Sequence, residues 1–232
     1  MSNRKVGRRE ALGVMGAAGA ALAFGCGGSP TSPDTSTSTS TTTTGSTNAA
    51  CAVTPTETAG PYPSLTDIFR SDIRDGKTGT LLTLTVKVVN VTAACAAVAN
   101  ANVEVWHCDS AGNYSEYGTE TARTYLRGIQ TTNSNGEVTF TTIYPGWYQG
   151  RATHIHLEVT INGVSRKVTQ IAFPESVNNT VYRSGVYASR GSNPTSNLSD
   201  GIFADSLSAE LVTPSGDAVN GYTASCQVGV SL

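Results

Sequence analysis

Residues 154–173 contain two runs rich in β-branched and apolar side chains, His154 to Ile161 and Val164 to Phe173, separated only by Asn162-Gly163. An Asn-Gly pair between such runs closes a tight antiparallel hairpin, since both turn residues must adopt positive φ. Similar runs recur at Leu81 to Val91, Val103 to Trp106, Val138 to Ile143 and near Ala224 to Val230, and Asn133-Ser134-Asn135-Gly136 supplies a further turn signal. No long stretch keeps helical periodicity. With 24 glycines and only 14% charged residues, the pattern predicts an all-β chain, an antiparallel β-sandwich with long loops over residues 51–232.

The first strand of that hairpin carries His154 and His156. On a strand, residues i and i+2 share a face, so both imidazoles point the same way. His107 is the one other histidine in the chain and follows the strand residue Trp106, which predicts packing or a hydrogen bond rather than chemistry. Upstream of the pair lie Tyr148 and Arg151, and farther back Tyr114. The constellation outlines a metal site.

The N-terminus is of a different kind. Arg4, Lys5, Arg8 and Arg9 precede an apolar stretch from Ala11 to Gly25, which is shorter than the roughly 20 residues of a membrane span and reads as an export signal over residues 1–26. The Arg8-Arg9 pair resembles a twin-arginine signal, and Cys26 with its flanks resembles a lipobox, which would anchor the mature chain to a membrane through lipid; the alternative is simple secretion, with Cys26 removed along with the signal. Residues 27–50 are nearly all Ser, Thr, Pro and Gly and form a disordered tether, because they cannot bury enough apolar surface to offset ordering entropy. The expected location is periplasmic or at the cell surface. A formal charge of -2 and a pI near 5.9 offer nothing to nucleic acid.

Cys51, Cys95, Cys108 and Cys226 remain for the mature domain, and an even count in an exported chain favours disulfides over metal ligation. Cys95 with Cys108 and Cys51 with Cys226 are the expected pairs.

Two imidazoles with a carboxylate would suit ferrous iron or zinc, whereas two imidazoles with phenolates call for a harder, more charged ion. A phenol ionises near pH 10, so holding one as phenolate at neutrality costs roughly 4 kcal/mol. A trivalent cation can supply that. Ferric iron with two tyrosinates and one hydroxide is also neutral, so no net charge is buried. A cupin would need a glutamate beyond the histidines, but Glu158 stands only two residues past His156.

The motifs Glu57-Thr58-Ala59-Gly60-Pro61-Tyr62, Val103-Glu104-Val105-Trp106, Ala111-Gly112-Asn113-Tyr114, Arg127-Gly128, Asn135-Gly136, Phe140 to Gly146, Tyr148, Arg151 and His154-Ile155-His156 together resemble the intradiol ring-cleavage dioxygenases. The likeness is to an exported, single-chain branch related to protocatechuate 3,4-dioxygenase. It implies that Tyr114, Tyr148, His154 and His156 ligate non-haem Fe(III), with Tyr148 the ligand that leaves when substrate chelates. Arg151 would stabilise negative charge on the substrate, Gln170 would assist the oxygen step, and Gly60, Pro61 and Tyr62 would line the substrate mouth.

The implied reaction is cleavage of a catechol by O2 to a cis,cis-muconate-type diacid. Only Gln149 and Gly150 separate Tyr148 from Arg151, fewer residues than in protocatechuate enzymes, so the pocket wall differs. The mouth must be completed by the chain's own N-terminal segment or by another copy in a homo-oligomer. The competing expectations are a transthyretin-like binding module without catalysis, and a copper or sugar-binding protein using His-x-His alone.

Overall fold

A computed structural model describes residues 51–232; the export signal, Cys26 and the tether lie outside the described residues. In chain order the elements are β1 (Leu81–Asn90), β2 (Ala96–Ala97), β3 (Asn102–Trp106), β4 (Arg127–Thr131), β5 (Glu137–Ile143), β6 (His154–Ile161), β7 (Val164–Ala172), α1 (Glu175–Val181), α2 (Leu207–Glu210), β8 (Ser215–Asp217) and β9 (Gly221–Val230). They form a β-sandwich. One sheet runs β2-β1-β9-β8 with β5 also paired to β1, and the other runs β4-β3-β6-β7.

Alternation explains the two layers. On β1 Leu82, Leu84, Val86 and Val88 are buried in alternation with Thr83, Thr85 and Lys87, which face outward, and Val89 is buried as well. Leu84 lies opposite Phe140 of β5, and Val86 opposite Val138. These pack on Val103 and Val105 of β3, Ile155, Leu157 and Val159 of β6 and Ile171 of β7, which turn inward from the second sheet. The odd-numbered residues of β6 thus build the core, leaving the even-numbered His154 and His156 on the sheet's opposite face.

The hairpin forms as its sequence requires. Ile161 pairs with Val164, and Asn162 and Gly163 both take positive φ, 51° and 74°. Between the named strands pairing is antiparallel with one exception: β1 and β9 run parallel from Leu82↔Tyr222 to Asn90↔Val230. The whole domain separates these two strands in sequence, so no hairpin fixes their direction.

The disulfide expectation is corrected. Cys51 bonds to Cys95, and Cys108 and Cys226 are free. Cys95 sits in the turn between β1 and β2, at the edge of one sheet, whereas Cys108 follows β3 in the other sheet and is buried beside Trp106 and Tyr114. Cys226 lies opposite Val86 on β9 and packs against the core. The two ends of the domain, which a Cys51–Cys226 pair would join, do lie together: the Thr54 amide donates to the Gly229 carbonyl at 3.1 Å, and the Gly229 amide to Thr54 Oγ1 at 2.8 Å.

From Cys51 the chain crosses the outer face of the second sheet. Glu57 N donates to Val168 O on β7, Arg127 on β4 holds the Tyr62 carbonyl at 2.9 Å, and Ile129 N donates to Ile68 O. Residues 57–70 are therefore a strap laid over the face that carries the two histidines.

Candidate metal centre

On β6, His156 lies opposite Trp106 of β3 on one side and Gln170 of β7 on the other. The Trp106 and His156 rings stack almost parallel, with centroids 4.9 Å apart and planes within 3°. His154 Nδ1 lies 2.6 Å from the Ala152 carbonyl, which places the N–H there and leaves Nε2 a bare lone pair. His154 Nε2 and His156 Nε2 face each other at 3.1 Å. Two nitrogens bound at about 2.0–2.1 Å to one ion at a right angle would stand roughly 3 Å apart, so this spacing suits a shared cation.

The first tyrosine arrives on the β3–β4 connection. Asp109 organises that loop, accepting from the amides of Ala111 and Asn113 at 2.9 Å each. Gly112, at φ 85°, packs against the Trp147 carbonyl, and Gly146 packs against the Asp109 carbonyl, both too closely for a Cβ. These two contacts bring the loops of Tyr114 and Tyr148 together. Tyr114 Oη stands 3.4 Å from His154 Nε2, and the Tyr148 ring is 5.8 Å from that of Tyr114 and 5.6 Å from His154, centroid to centroid. Tyr114 is buried, only 4% exposed, while Tyr148 is half-buried.

The site is electrically empty by itself. Burial pushes the Tyr114 phenol well above its ordinary value, and burial also raises Tyr148 although the charge and hydrogen bond of Arg151 pull it back. Burial, then the charge of Arg151, lowers His154 to about 3. Burial, then His154, puts His156 well below the usual histidine range. Neutral imidazoles are ready ligands, and the phenols await a cation strong enough to ionise them.

The donor set fits a hard trivalent ion. Among the described residues no three side chains of the His, Cys, Asp and Glu types converge, so two histidines and a carboxylate are not available here. Glu158 stands opposite Glu104, two residues along the strand from His156. The side chains that stand beside the two imidazoles are the phenols of Tyr114 and Tyr148.

Arg151 donates through Nε to Asp200 at 2.8 Å and through Nη2 to Gln170 Oε1 at 2.6 Å. Gln170 in turn donates to the Thr58 carbonyl of the strap at 2.8 Å. Burial opposes the charge on Asp200, but the amides of Ala152 and Ile202 together with Arg151 hold its carboxyl below the usual range. Gly60, at φ 71°, lies against the His156 ring edge, where a Cβ would come within 3.0 Å. Tyr62 stacks on Tyr114 at 4.6 Å, and Pro61 between them is exposed.

His107 behaves as the sequence suggests: it bonds Thr142 Oγ1 at 2.7 Å and the Cys108 carbonyl at 2.9 Å, apart from the metal candidates. Trp106, Asp200, Arg127 and Tyr117 stand in the sequence without an expected role. Trp106 had a readable signal, since its parity on β3 matches that of the histidines across the ladder. Asp200 had none, lying in a stretch without periodicity.

The dioxygenase family model matches residues 58–191. Among solved structures, an intradiol ring-cleavage dioxygenase from Tetranychus urticae is 29% identical, covering 78% of this chain and 95% of that one with a TM-score of 0.70. The dioxygenase domain of a carbohydrate-binding fusion from Streptomyces sp. SirexAA-E is 24% identical over 78% of this chain and 99% of that one, TM-score 0.59. A 3-chlorocatechol 1,2-dioxygenase from Rhodococcus opacus 1CP is 20% identical over 76% and 72%, TM-score 0.55. These last two share the fold. The family match spans more than half of the chain, and this protein belongs to the intradiol ring-cleavage dioxygenases.

Proposed function

We propose that the chain holds one ferric ion through Tyr114, Tyr148, His154 and His156 and cleaves a catechol between its hydroxyl-bearing carbons with O2, giving a cis,cis-muconate-type diacid. The observation that carries this reading is the convergence of the His154 and His156 Nε2 atoms, 3.1 Å apart, with Tyr114 Oη at 3.4 Å from His154 Nε2 and the Tyr148 ring beside them. Ferric iron, when bound, would supply the Lewis acidity that keeps phenols and substrate hydroxyls ionised.

The chain's own groups divide the remaining work. Tyr148, half-buried and the more accessible phenol, takes a substrate hydroxyl proton at Oη as it gives way to the incoming ring. Tyr114 stays, clamped by Tyr62 on its face. Arg151, held by Asp200 and Gln170, presents fixed positive charge where negative charge grows on the substrate oxygen. Gln170 positions Arg151 and ties it to the strap, and Trp106 fixes the ring plane of His156. Gly60 and Tyr62 form the wall of the mouth, supplied by the same chain.

The Cys51–Cys95 bond supports the export expectation, because disulfides persist in oxidising compartments. Lipid attachment at Cys26 is part of the same proposal. Metal analysis with visible spectroscopy tests the reading: about one iron per chain and a broad tyrosinate-to-iron band that moves when a catechol is added, with O2 uptake and a diacid identified by mass. Folded, colourless protein that takes up no iron would overturn it.

A further inference from the structure

We propose that this site selects catechols whose ring carries no anionic substituent. The inference rests on the iron-dependent reading above and concerns the charges around its mouth. The wall is aromatic: Tyr62 stacks on Tyr114 and meets Tyr117 and Tyr148 edge to face at 5.3 and 5.9 Å. Two cations touch this wall, and neither is free.

Arg127 is 1% exposed and fully engaged. Its Nε lies 3.2 Å from Glu116 and 3.0 Å from Ser115 Oγ, its Nη2 donates to the Ser115 carbonyl, and its Nη1 donates to the Tyr62 carbonyl and Ser64 Oγ. Arg151 is held by Asp200 and Gln170. The charged side chains of the β3–β6 ladder itself are both acids. Glu104 lies opposite Glu158 across the β3–β6 ladder, with Asp67 of the strap near enough to oppose its ionisation. Both guanidiniums are thus committed to carboxylates, and the ladder adds no cation.

Charge counting sharpens the consequence. Ferric iron with one remaining tyrosinate and a catecholate dianion sums to zero. A ring carboxylate adds one negative charge beside an aromatic wall whose two guanidiniums are already paired with Glu116 and Asp200, and a buried charge without its own partner is heavily penalised. Neutral ring substituents, alkyl or aryl, meet only apolar ring faces and lose nothing.

The test compares catechol and 4-methylcatechol with 3,4-dihydroxybenzoate on the iron-loaded protein. Two readouts are followed: kcat/KM from O2 uptake, and dissociation constants from titration of the visible band under argon. Expected is a kcat/KM about 100-fold lower for the carboxylated ring, with weaker binding in the titration. Equal kcat/KM, or tighter binding of 3,4-dihydroxybenzoate, overturns the proposal while leaving the iron reading intact; loss of the visible band and of all cleavage overturns that reading instead. Glu116→Gln supplies the second arm, since it frees the Arg127 charge yet retains an oxygen to accept from the Leu65 amide. The preference should shrink about tenfold in that variant. An unchanged ratio in folded Glu116→Gln protein overturns the electrostatic basis and the proposal with it.

Discussion

Asp200 shows how a residue with no legible motif can govern one that has it. Its carboxylate is fully buried and accepts from both Arg151 Nε and the Ala152 amide, so it sets the guanidinium's place and the start of β6 at once. Asp200→Asn keeps the shape but removes the charge. The expected outcome is a loss of about 2–3 kcal/mol in urea unfolding and a fall of roughly 10- to 100-fold in kcat, with iron content preserved. An unchanged kcat would show that Arg151 is positioned by Gln170 alone. The two tyrosines should part company in the same assay. With the proposed ligand set, Tyr114→Phe removes a buried phenol and should cost most of the bound iron. Tyr148→Phe should keep the iron, shift the visible band and slow the proton-accepting step by about 100-fold. Equal iron contents in both variants would contradict the assigned division of roles.

The ladders decide which elements could be read in advance. β6 and β7 were legible because inward Ile155, Leu157 and Val159 alternate with outward residues and an Asn-Gly turn fixes the register. The same parity revealed the histidine pair. β4 was not legible: Arg127-Gly128-Ile129-Gln130-Thr131 has no apolar alternation, and its buried members include a charged side chain and a glycine. Its place at the sheet edge comes from Arg127 being paid for by Glu116 and the strap carbonyls, a tertiary arrangement invisible to a local pattern. β8, three exposed residues long, and the parallel β1–β9 pairing depend likewise on distant partners.

The β3–β6 ladder also makes a testable pH effect. Burial pushes the Glu104 carboxyl up to about 7, with Ser64 opposing and Glu158 adding to the shift. The folded chain then binds this proton more tightly than the unfolded one. Stability contributed by the protonated carboxyl is present below the unfolded value of 4.5 and is lost as pH rises through about 7. Plotted against pH, the stability of wild type relative to Glu104→Gln should therefore fall between about 4.5 and 7 and then level off. A flat difference would mean that Glu104 stays ionised in the folded protein.

At the scale of the whole molecule, the face that carries His154 and His156 is covered by a segment that owes its position to three kinds of contact. Cys51–Cys95 fixes its beginning to the β1–β2 turn, and Lys167 Nζ holds the Thr54 carbonyl at 2.6 Å and Thr56 Oγ1 at 2.7 Å. Gln170 then holds Thr58, and Arg127 holds Tyr62. The sandwich core of residues such as Leu84, Phe140 and Leu157 is complete without the strap, whereas the mouth at Gly60 and Tyr62 is not. Removing the disulfide by Cys51→Ala with Cys95→Ala should thus act on two levels. A bond closing 44 residues of chain contributes about 2–4 kcal/mol, chiefly by restricting the unfolded state. Hydrogen exchange should meanwhile rise first at the amides of residues 52–62, ahead of β1 and β6, and KM for catechol should increase more than kcat falls. Uniform exchange acceleration across the domain, with the strap no faster than the sheets, would show that the disulfide serves the sandwich as a whole and that the strap is held by Lys167, Gln170 and Arg127 alone.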